Sequence, residues 1–262
     1  MTRIQRRVRS GIKRFIYSQL YLREALLIFF GRAKPFVRFT VEATPPSLYF
    51  NFEIDPQRAQ ELERELALPH PLTRIRCLEG EEPFYCLTLN VYRVSGLANG
   101  KRAEWSLYVR DASGKARYLI VEAAADAGSM DPIHIITRAG QLTYECEGER
   151  LTTEIVCEDG TRFEARCRLS PDAPRVRGAP EWVEANDYIY WRNGVCDRTF
   201  YDAGLAHARM RRIAASDVSI EDATAWGRIA RPTPRHVIVF ENPIEFAMSP
   251  WWNIDELGKG SA

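Results

Sequence analysis

Apolar side chains within the first 30 residues recur at three- and four-residue steps, which is the period of an amphipathic helix. We therefore predict a helix over residues 2–30. Its basic side chains fall mainly off the apolar stripe, and this arrangement suits a helix lying on an anionic membrane surface. Packing of the helix on its own domain or on a partner subunit is the alternative interpretation. The stripe consists of Ile4, Val8, Ile12, Phe15, Ile16 and Leu20.

The pattern then changes to the two-residue alternation of β-strands. Residues 47–54 place four large apolar side chains on one face, which predicts a strand. Asp55 and Pro56 follow as an N-cap and a first-turn proline, so we predict a short helix that runs to about Leu66. Further strands are predicted at residues 84–94, 103–109 and 116–123, with a hairpin turn at residues 111–115.

Residues 141–169 have the clearest pattern in the chain. Three alternating runs are separated by Glu147-Gly148 and Asp159-Gly160, and an acidic residue followed by glycine is typical of a hairpin turn. Asn193-Gly194 predicts another hairpin, and residues 236–240 read as a buried strand. Many short strands with few helices predict a strand-dominated α+β fold of mainly antiparallel strands, arranged as a barrel or as a sandwich.

Charge divides the chain into two parts. Residues 1–40 carry ten basic residues and one acidic residue, whereas the remaining residues carry 26 basic and 34 acidic residues. An acidic body argues against nucleic acid as a partner, because phosphate binding needs a basic surface. We predict a basic arm over residues 1–34 and one β-rich domain over residues 35–262.

No apolar run in the sequence approaches the roughly 18–20 residues that are needed to span a bilayer.

The six cysteines show no CxxC pair, so we expect reduced, mostly buried thiols in a cytoplasmic protein rather than disulfides or a zinc site. Nucleotide-binding and hydrolase motifs are absent from the sequence, and no cofactor is predicted. Asp217, Glu221 and Asp222 near Trp226 are either a carboxylate cluster or a solvated helix start.

A short run ending in glutamate, Gly100-Lys-Arg-Ala-Glu104, lies between the first predicted strands and the hairpin before the three-stranded run. The order of these elements resembles the acetoacetate decarboxylase-like family, over residues 45–169 in particular. The resemblance implies a curled, barrel-like sheet around an apolar pocket, with the family's pocket glutamate at Glu104. It also implies lyase-type chemistry in the relatives.

The same resemblance implies a departure at the reacting group. The family's decarboxylases use two adjacent lysines, one of which forms a Schiff base while its cationic neighbour activates it. Here the pair falls at Thr137 and Arg138, and no lysine occurs between residues 116 and 258. Because a guanidinium stays protonated and is not a nucleophile, Schiff-base decarboxylation is disfavoured. The family's substrate-side arginine also has no counterpart in residues 47–54.

Six residues are candidates for the site. Glu104 is the predicted acid or base, since a carboxyl group enclosed by apolar side chains can exchange protons with a substrate. Its alternative is a rim carboxylate paired with Arg102 or Arg138. Arg138 is a substrate clamp or part of a structural ion pair, and His134 is a proton shuttle or an ordinary strand residue. The predicted substrate-binding residues are Thr137, Arg102 and Trp105.

Two functions remain open at this point. The first is an enzyme with lyase-, isomerase- or hydratase-like activity on a hydrophobic carbonyl or carboxylate compound, using Glu104. The second is a non-catalytic protein that binds an apolar small molecule or lipid in the same chamber. The expected partners are a small hydrophobic molecule and, through residues 1–34, an anionic membrane surface; self-association into a homo-oligomer stays open.

Overall fold

The structure, a computed structural model, describes most of residues 39–248. The predicted helix over residues 2–30 and the boundary between the arm and the β-rich domain lie outside the described residues. Within 39–248 the positions not described are 69, 96–99, 112, 126–140, 158, 186–187, 193–194, 200, 204 and 206–207.

The described residues are strand-rich, as predicted. The helices are α1 (Pro56–Glu65) and α2 (Pro180–Glu184), and two short 3-10 helices lie at Ala215–Asp217 and Trp226–Arg228. The strands are β1 (Phe39–Ile54), β2 (Arg74–Ile75), β3 (Phe84–Ser95), β4 (Gly100–Arg110), β5 (Ala116–Ala125), β6 (Gln141–Glu147), β7 (Arg150–Val156), β8 (Arg162–Arg168), β9 (Arg175–Val176), β10 (Tyr188–Arg192), β11 (Val195–Thr199), β12 (Tyr201–Ala203), β13 (Met210–Ile213), β14 (Val218–Asp222), β15 (His236–Phe240) and β16 (Ile244–Met248).

A large sheet of 12 strands forms the body, in the order β11-β10-β5-β4-β3-β1-β15-β13-β9. β16 pairs with β1 and β12, and β2 pairs with β3. β1 pairs with β16 along its first half and with β15 along its second half. Pro45 and Pro46 lie within this strand, where the register with β3 shifts, and neither proline can donate a backbone hydrogen bond. Among the described strands, β11 and β9 end this order and do not pair with each other, so the large sheet is not a closed barrel.

The predicted three-stranded run is confirmed as an antiparallel meander. β6, β7 and β8 pair in sequence order, and β14 adds a fourth strand beside β8. Gly148 and Gly160 have φ values of 61° and 79°, the left-handed conformation that these turns require and that glycine adopts without steric cost. The meander is therefore a separate small sheet that covers one face of the large sheet.

Both faces of the large sheet are covered. The core between the large sheet and the meander contains Leu48, Phe50, Trp105 and Phe163. The core on the other face packs β-strand side chains against α2, through Trp182. As a consequence β4 and β5 are buried on both faces along most of their length. A strand with two buried faces shows no simple alternation of apolar and polar residues.

Other predicted elements are confirmed with small changes in their ends. α1 begins after Asp55, whose carboxylate accepts a hydrogen bond from Gln57 N (2.9 Å), and β10 and β11 form the hairpin predicted at residues 193–194. The pairing of the described strands is antiparallel as predicted, except that β10 runs parallel to β5. The meander and α2 lie between these strands in sequence, and a connection of this length allows the parallel direction.

Of the two interpretations of Asp217, Glu221 and Asp222, the solvated helix start is wrong. Residues 218–222 form β14, and Asp222 accepts hydrogen bonds from Thr224 N (2.9 Å) and Thr224 Oγ1 (2.6 Å). Burial raises the pKa of Asp222, and the two hydrogen bonds from Thr224 partly offset this increase. Of the five cysteines whose side chains the structure describes, four are buried and none forms a disulfide. In the described part of the chain, no helix has the length and hydropathy needed to span a membrane.

Candidate functional site

Strand alternation sorts the side chains of β4 between the two cores. Trp105 and Leu107 pack in the core beside the meander, whereas Tyr108 packs in the core beside α2. Arg102 and Glu104 share the face of Tyr108, because they are separated from it by even numbers of residues. The candidate acid and the neighbouring arginine therefore lie on the α2 side of the large sheet.

Glu104 is buried there but is not isolated. Its side chain is 5% exposed, and its Oε1 atom accepts a hydrogen bond from Arg102 Nε. The same oxygen accepts a hydrogen bond of 2.9 Å from the Tyr92 hydroxyl. Asn90 is directly opposite Glu104 in the β3–β4 ladder. The carboxylate that was expected in apolar surroundings is in fact held by a guanidinium and a phenol.

Two further phenols lie close to this carboxylate. Tyr49 accepts a hydrogen bond of 3.1 Å from Asn90 Nδ2. Burial, reinforced by the negative charge of Glu104, raises the pKa of the Tyr49 hydroxyl far above its usual value. Burial also raises the pKa of Tyr118, with Tyr49 and Glu104 adding to the effect. Both phenols consequently stay neutral near pH 7 and can donate hydrogen bonds.

A second set of polar groups adjoins the first along β3. Thr88 donates to Asn51 Oδ1 (2.8 Å) and lies 3.2 Å from the Tyr108 hydroxyl. Trp182 Nε1, from α2, donates to the same Tyr108 oxygen at 2.6 Å. These contacts tie α2 to the sheet and satisfy polar groups that would otherwise be costly to bury.

Sequence reasoning missed Tyr49, Asn51, Thr88, Asn90 and Tyr92. A signal for some of them was present, because Asn51, Thr88 and Asn90 interrupt strands that are otherwise apolar. Polar residues in buried strands need partners, and the register pairs Asn51 with Thr88 and Tyr49 with Asn90.

Of the six predicted site residues, the structure brings Arg102 and Glu104 into direct contact. Trp105 is displaced from them, because it points into the opposite core and lines a small cavity of about 50 Å³ with Trp226. Its assignment as a substrate-binding residue of the Glu104 site is therefore corrected. Thr137, Arg138 and His134 lie outside the described residues.

Neither lysine of the described residues is positioned for chemistry beside Glu104. Lys101 precedes Arg102 on β4 and so projects toward the opposite face of the strand. Lys115 is exposed after the turn that joins β4 and β5. No three His, Cys, Asp or Glu side chains of the described residues come together as a metal site. The groups that meet at Glu104 can take part in proton transfer and hydrogen bonding.

Comparison with known proteins supports the fold. No protein-family model and no curated protein matches the sequence. Among solved structures, acetoacetate decarboxylase from Legionella pneumophila is 12% identical, with 84% of this chain and 88% of that chain covered and a TM-score of 0.53.

Two other solved structures give the same picture. A second acetoacetate decarboxylase structure is 11% identical over 84% of this chain and 90% of the other, with a TM-score of 0.50. An acetoacetate decarboxylase-like enzyme from Sphingomonas wittichii is 13% identical over 84% of this chain and 94% of the other, also with a TM-score of 0.50. At such low identity these matches establish the fold alone: the chain has the acetoacetate decarboxylase-like fold.

Proposed function

We propose that the protein is an enzyme that moves protons on a hydrophobic carbonyl or carboxylate compound, with lyase-, isomerase- or hydratase-like chemistry and without a Schiff base. The observation that carries the proposal is the buried Glu104 carboxylate, held by Arg102 and Tyr92. A buried carboxyl group that contacts both a cation and a hydrogen-bond donor is a candidate for proton transfer.

The chemistry follows from the groups at hand. Glu104 is the group that takes a proton from carbon next to the substrate carbonyl, and the electron pair of that C–H bond moves to the carbonyl oxygen. The neutral hydroxyls of Tyr49 and Tyr118 are hydrogen-bond donors for the resulting oxyanion. Arg102 supplies a positive charge for a substrate carboxylate and keeps Glu104 oriented.

The absence of a lysine from residues 116–258 separates this chemistry from that of the Schiff-base decarboxylases. Residues 116–258 contain no lysine, and arginine cannot form the imine. After incubation with a β-keto acid and borohydride, peptide mass spectrometry should show no adduct in that range. An adduct on Lys101 or Lys115 would show that an amine elsewhere in the chain does the chemistry.

The direct test is deuterium exchange at carbon next to the carbonyl, followed by NMR over a panel of hydrophobic keto acids and enones. Glu104→Gln keeps the size of the side chain and should lower the exchange rate by roughly 10²–10⁴, the usual contribution of a general base. Glu145→Gln, an exposed change on β6, is the matched control. Equal rates for the wild type and Glu104→Gln would refute the proposal.

A second candidate function is binding without conversion. The observation that favours it is the close ion pair within β4, because a carboxylate already matched by Arg102 can have a purely structural role. Native mass spectrometry of the purified protein tests this alternative. A co-purified apolar molecule that is returned unchanged supports binding alone, whereas its conversion supports the enzyme.

We propose in addition that residues 1–34 place the protein on the cytoplasmic side of an anionic membrane. The support is the charge of this segment, in which nine basic residues accompany one acidic residue and an apolar stripe. An enzyme for hydrophobic compounds would there be close to substrates dissolved in lipid.

A further inference from the structure

The segment after β13 leaves a cleft beside β15. A cavity of about 260 Å³ is enclosed by β13, β14 and residues 232–235. A second cavity of about 410 Å³ shares Pro232, Thr233 and Arg235 with the first, so the two adjoin. We name them together the arginine cleft. Its apolar lining consists of Ile213, Val218, Ile220, Pro232, Pro234 and Val237.

Three guanidinium groups line this cleft: Arg212 and Arg235 in the first cavity, and Arg231 and Arg235 in the second. Only one carboxylate, Glu53, is among the lining residues. Arg231 and Arg235 each approach the same Glu53 oxygen at 3.5 Å. Arg212 is 3.3 Å from Glu81. The cleft therefore has an excess of positive charge.

The ion pairs in the cleft are long compared with the 2.7–2.9 Å of a strong charge-assisted hydrogen bond. A guanidinium carries five N–H donors, and a single contact at 3.5 Å uses little of that capacity. Arg231 is also 61% exposed, so its side chain can turn toward a ligand without breaking a buried contact. The charged end of the cleft is suited to an added anion.

We propose that the arginine cleft binds an amphipathic organic anion, with its carboxylate between Arg231 and Arg235 and its hydrocarbon tail against Ile213, Val218 and Ile220. A cleft of a few hundred cubic ångströms that combines apolar side chains with a few charged groups is typical of a small-molecule site. Guanidinium groups favour carboxylate or phosphate partners. An apolar lining alone would not select for charge.

This cleft is separate from the Glu104 site. Ile213 and Val237 belong to the core beside the meander, whereas Glu104 lies on the α2 face of the large sheet. Binding at the cleft can therefore be tested without reference to the proposed enzymatic activity. A ligand here would contact the connection between β14 and β15 rather than the candidate catalytic carboxylate.

Isothermal titration calorimetry of the full chain with sodium octanoate tests the proposal. Acetate provides the head group alone, and octan-1-ol provides the tail alone. We expect octanoate to bind at one site, at least about tenfold more tightly than either probe, since both burial and charge contribute. Equal binding of octanoate and acetate would overturn the proposal, as would equal binding of octanoate and octanol.

Two variants locate the site. Arg231→Gln removes one exposed charge and should weaken octanoate binding about tenfold. Thr233→Trp places a large side chain on an exposed residue that lines both cavities, and it should abolish binding. The control is Arg166→Gln, which removes a 73% exposed charge on β8 and should leave binding unchanged.

The variants also separate this proposal from the proposed function. Octanoate binding that is lost in Glu104→Gln but kept in Arg231→Gln and Thr233→Trp would place the anion beside Glu104 and overturn the arginine cleft. Binding that is weakened in Arg231→Gln, lost in Thr233→Trp and kept in Glu104→Gln supports the cleft, whatever the fate of the enzymatic activity. Thermal unfolding of each variant confirms that the chain is folded.

Discussion

Tyr92 donates a hydrogen bond of 2.9 Å to the same Glu104 oxygen that Arg102 contacts. The β3–β4 register explains this, because Tyr92 is directly opposite Arg102, and Glu104 is two residues farther along β4. Diagonal neighbours on one face of a sheet are within reach of long side chains. Two donors from adjacent strands thus converge on one buried carboxylate oxygen.

Replacing Tyr92 by phenylalanine removes one of these donors and little else. The free energy of unfolding should fall by about 1–3 kcal/mol, since the lost hydrogen bond is to a charged group and is buried. Denaturant unfolding measures the change. Tyr85→Phe, on the same strand, is the control: the described residues offer the Tyr85 hydroxyl no hydrogen-bond partner, and we expect a change within about 0.5 kcal/mol. Equal losses in the two variants would contradict the assignment.

Replacing Arg102 by methionine leaves the Glu104 carboxylate buried without its cation. We expect a loss of about 3–5 kcal/mol in the free energy of unfolding, because an uncompensated buried charge is costly. The double variant Arg102→Met, Glu104→Leu should recover most of that loss. A double-mutant cycle by denaturant unfolding measures the coupling, and additive effects of the two substitutions would show that the pair does not interact.

Asp111 predicts a pH dependence of stability. Burial disfavours its charged form, but hydrogen bonds from Ser113, Arg117 and Lys115 outweigh burial and hold the pKa of Asp111 well below its usual range. A lowered pKa stabilises the fold above the unfolded value of about 3.9, and the stabilisation is lost as the pH falls toward the folded value.

The stability difference between the wild type and Asp111→Asn should therefore be constant from about pH 5 to 8 and should shrink below about pH 4. Urea unfolding over this range measures it. Asp172→Asn, at an exposed position, should follow the wild-type pH profile. A difference that grows on acidification would contradict the lowered pKa.

The basic arm leads to a prediction about membranes. Deleting residues 1–34 should abolish sedimentation with anionic liposomes, and high salt should weaken the binding of the full chain through screening. Neutral liposomes serve as the control and should pellet little of either protein. Equal pelleting of the full chain and the deletion variant would favour the alternative, in which the helix packs against protein.

Local sequence patterns were sufficient to predict several elements of the fold. The meander followed from alternation and from two acidic-glycine turns, and α1 followed from Asp55 and Pro56, because the conformations of turns and caps depend on neighbouring residues. The same alternation also excludes Trp105 from the Glu104 site. Glu104 and Trp105 are adjacent in a predicted strand, so they could not both face one site.

The surroundings of Glu104 and the direction of β10 depend on contacts between residues that are far apart in the sequence. Tyr49, Asn90 and Tyr92 reach Glu104 only because β1, β3 and β4 pair in one register, and nothing near Glu104 in sequence specifies that register. The parallel direction of β10 likewise depends on where the meander and α2 return the chain to the sheet.

The amino-acid order alone established a strand-dominated chain, the absence of a lysine from residues 116–258 and a carboxylate at position 104, since these are properties of composition and local geometry. Tertiary packing determined that this carboxylate is paired with Arg102 and Tyr92 and that three guanidinium groups border an apolar cleft. Strands such as β4 are buried on both faces, so their residue pattern does not reveal which neighbours each side chain meets.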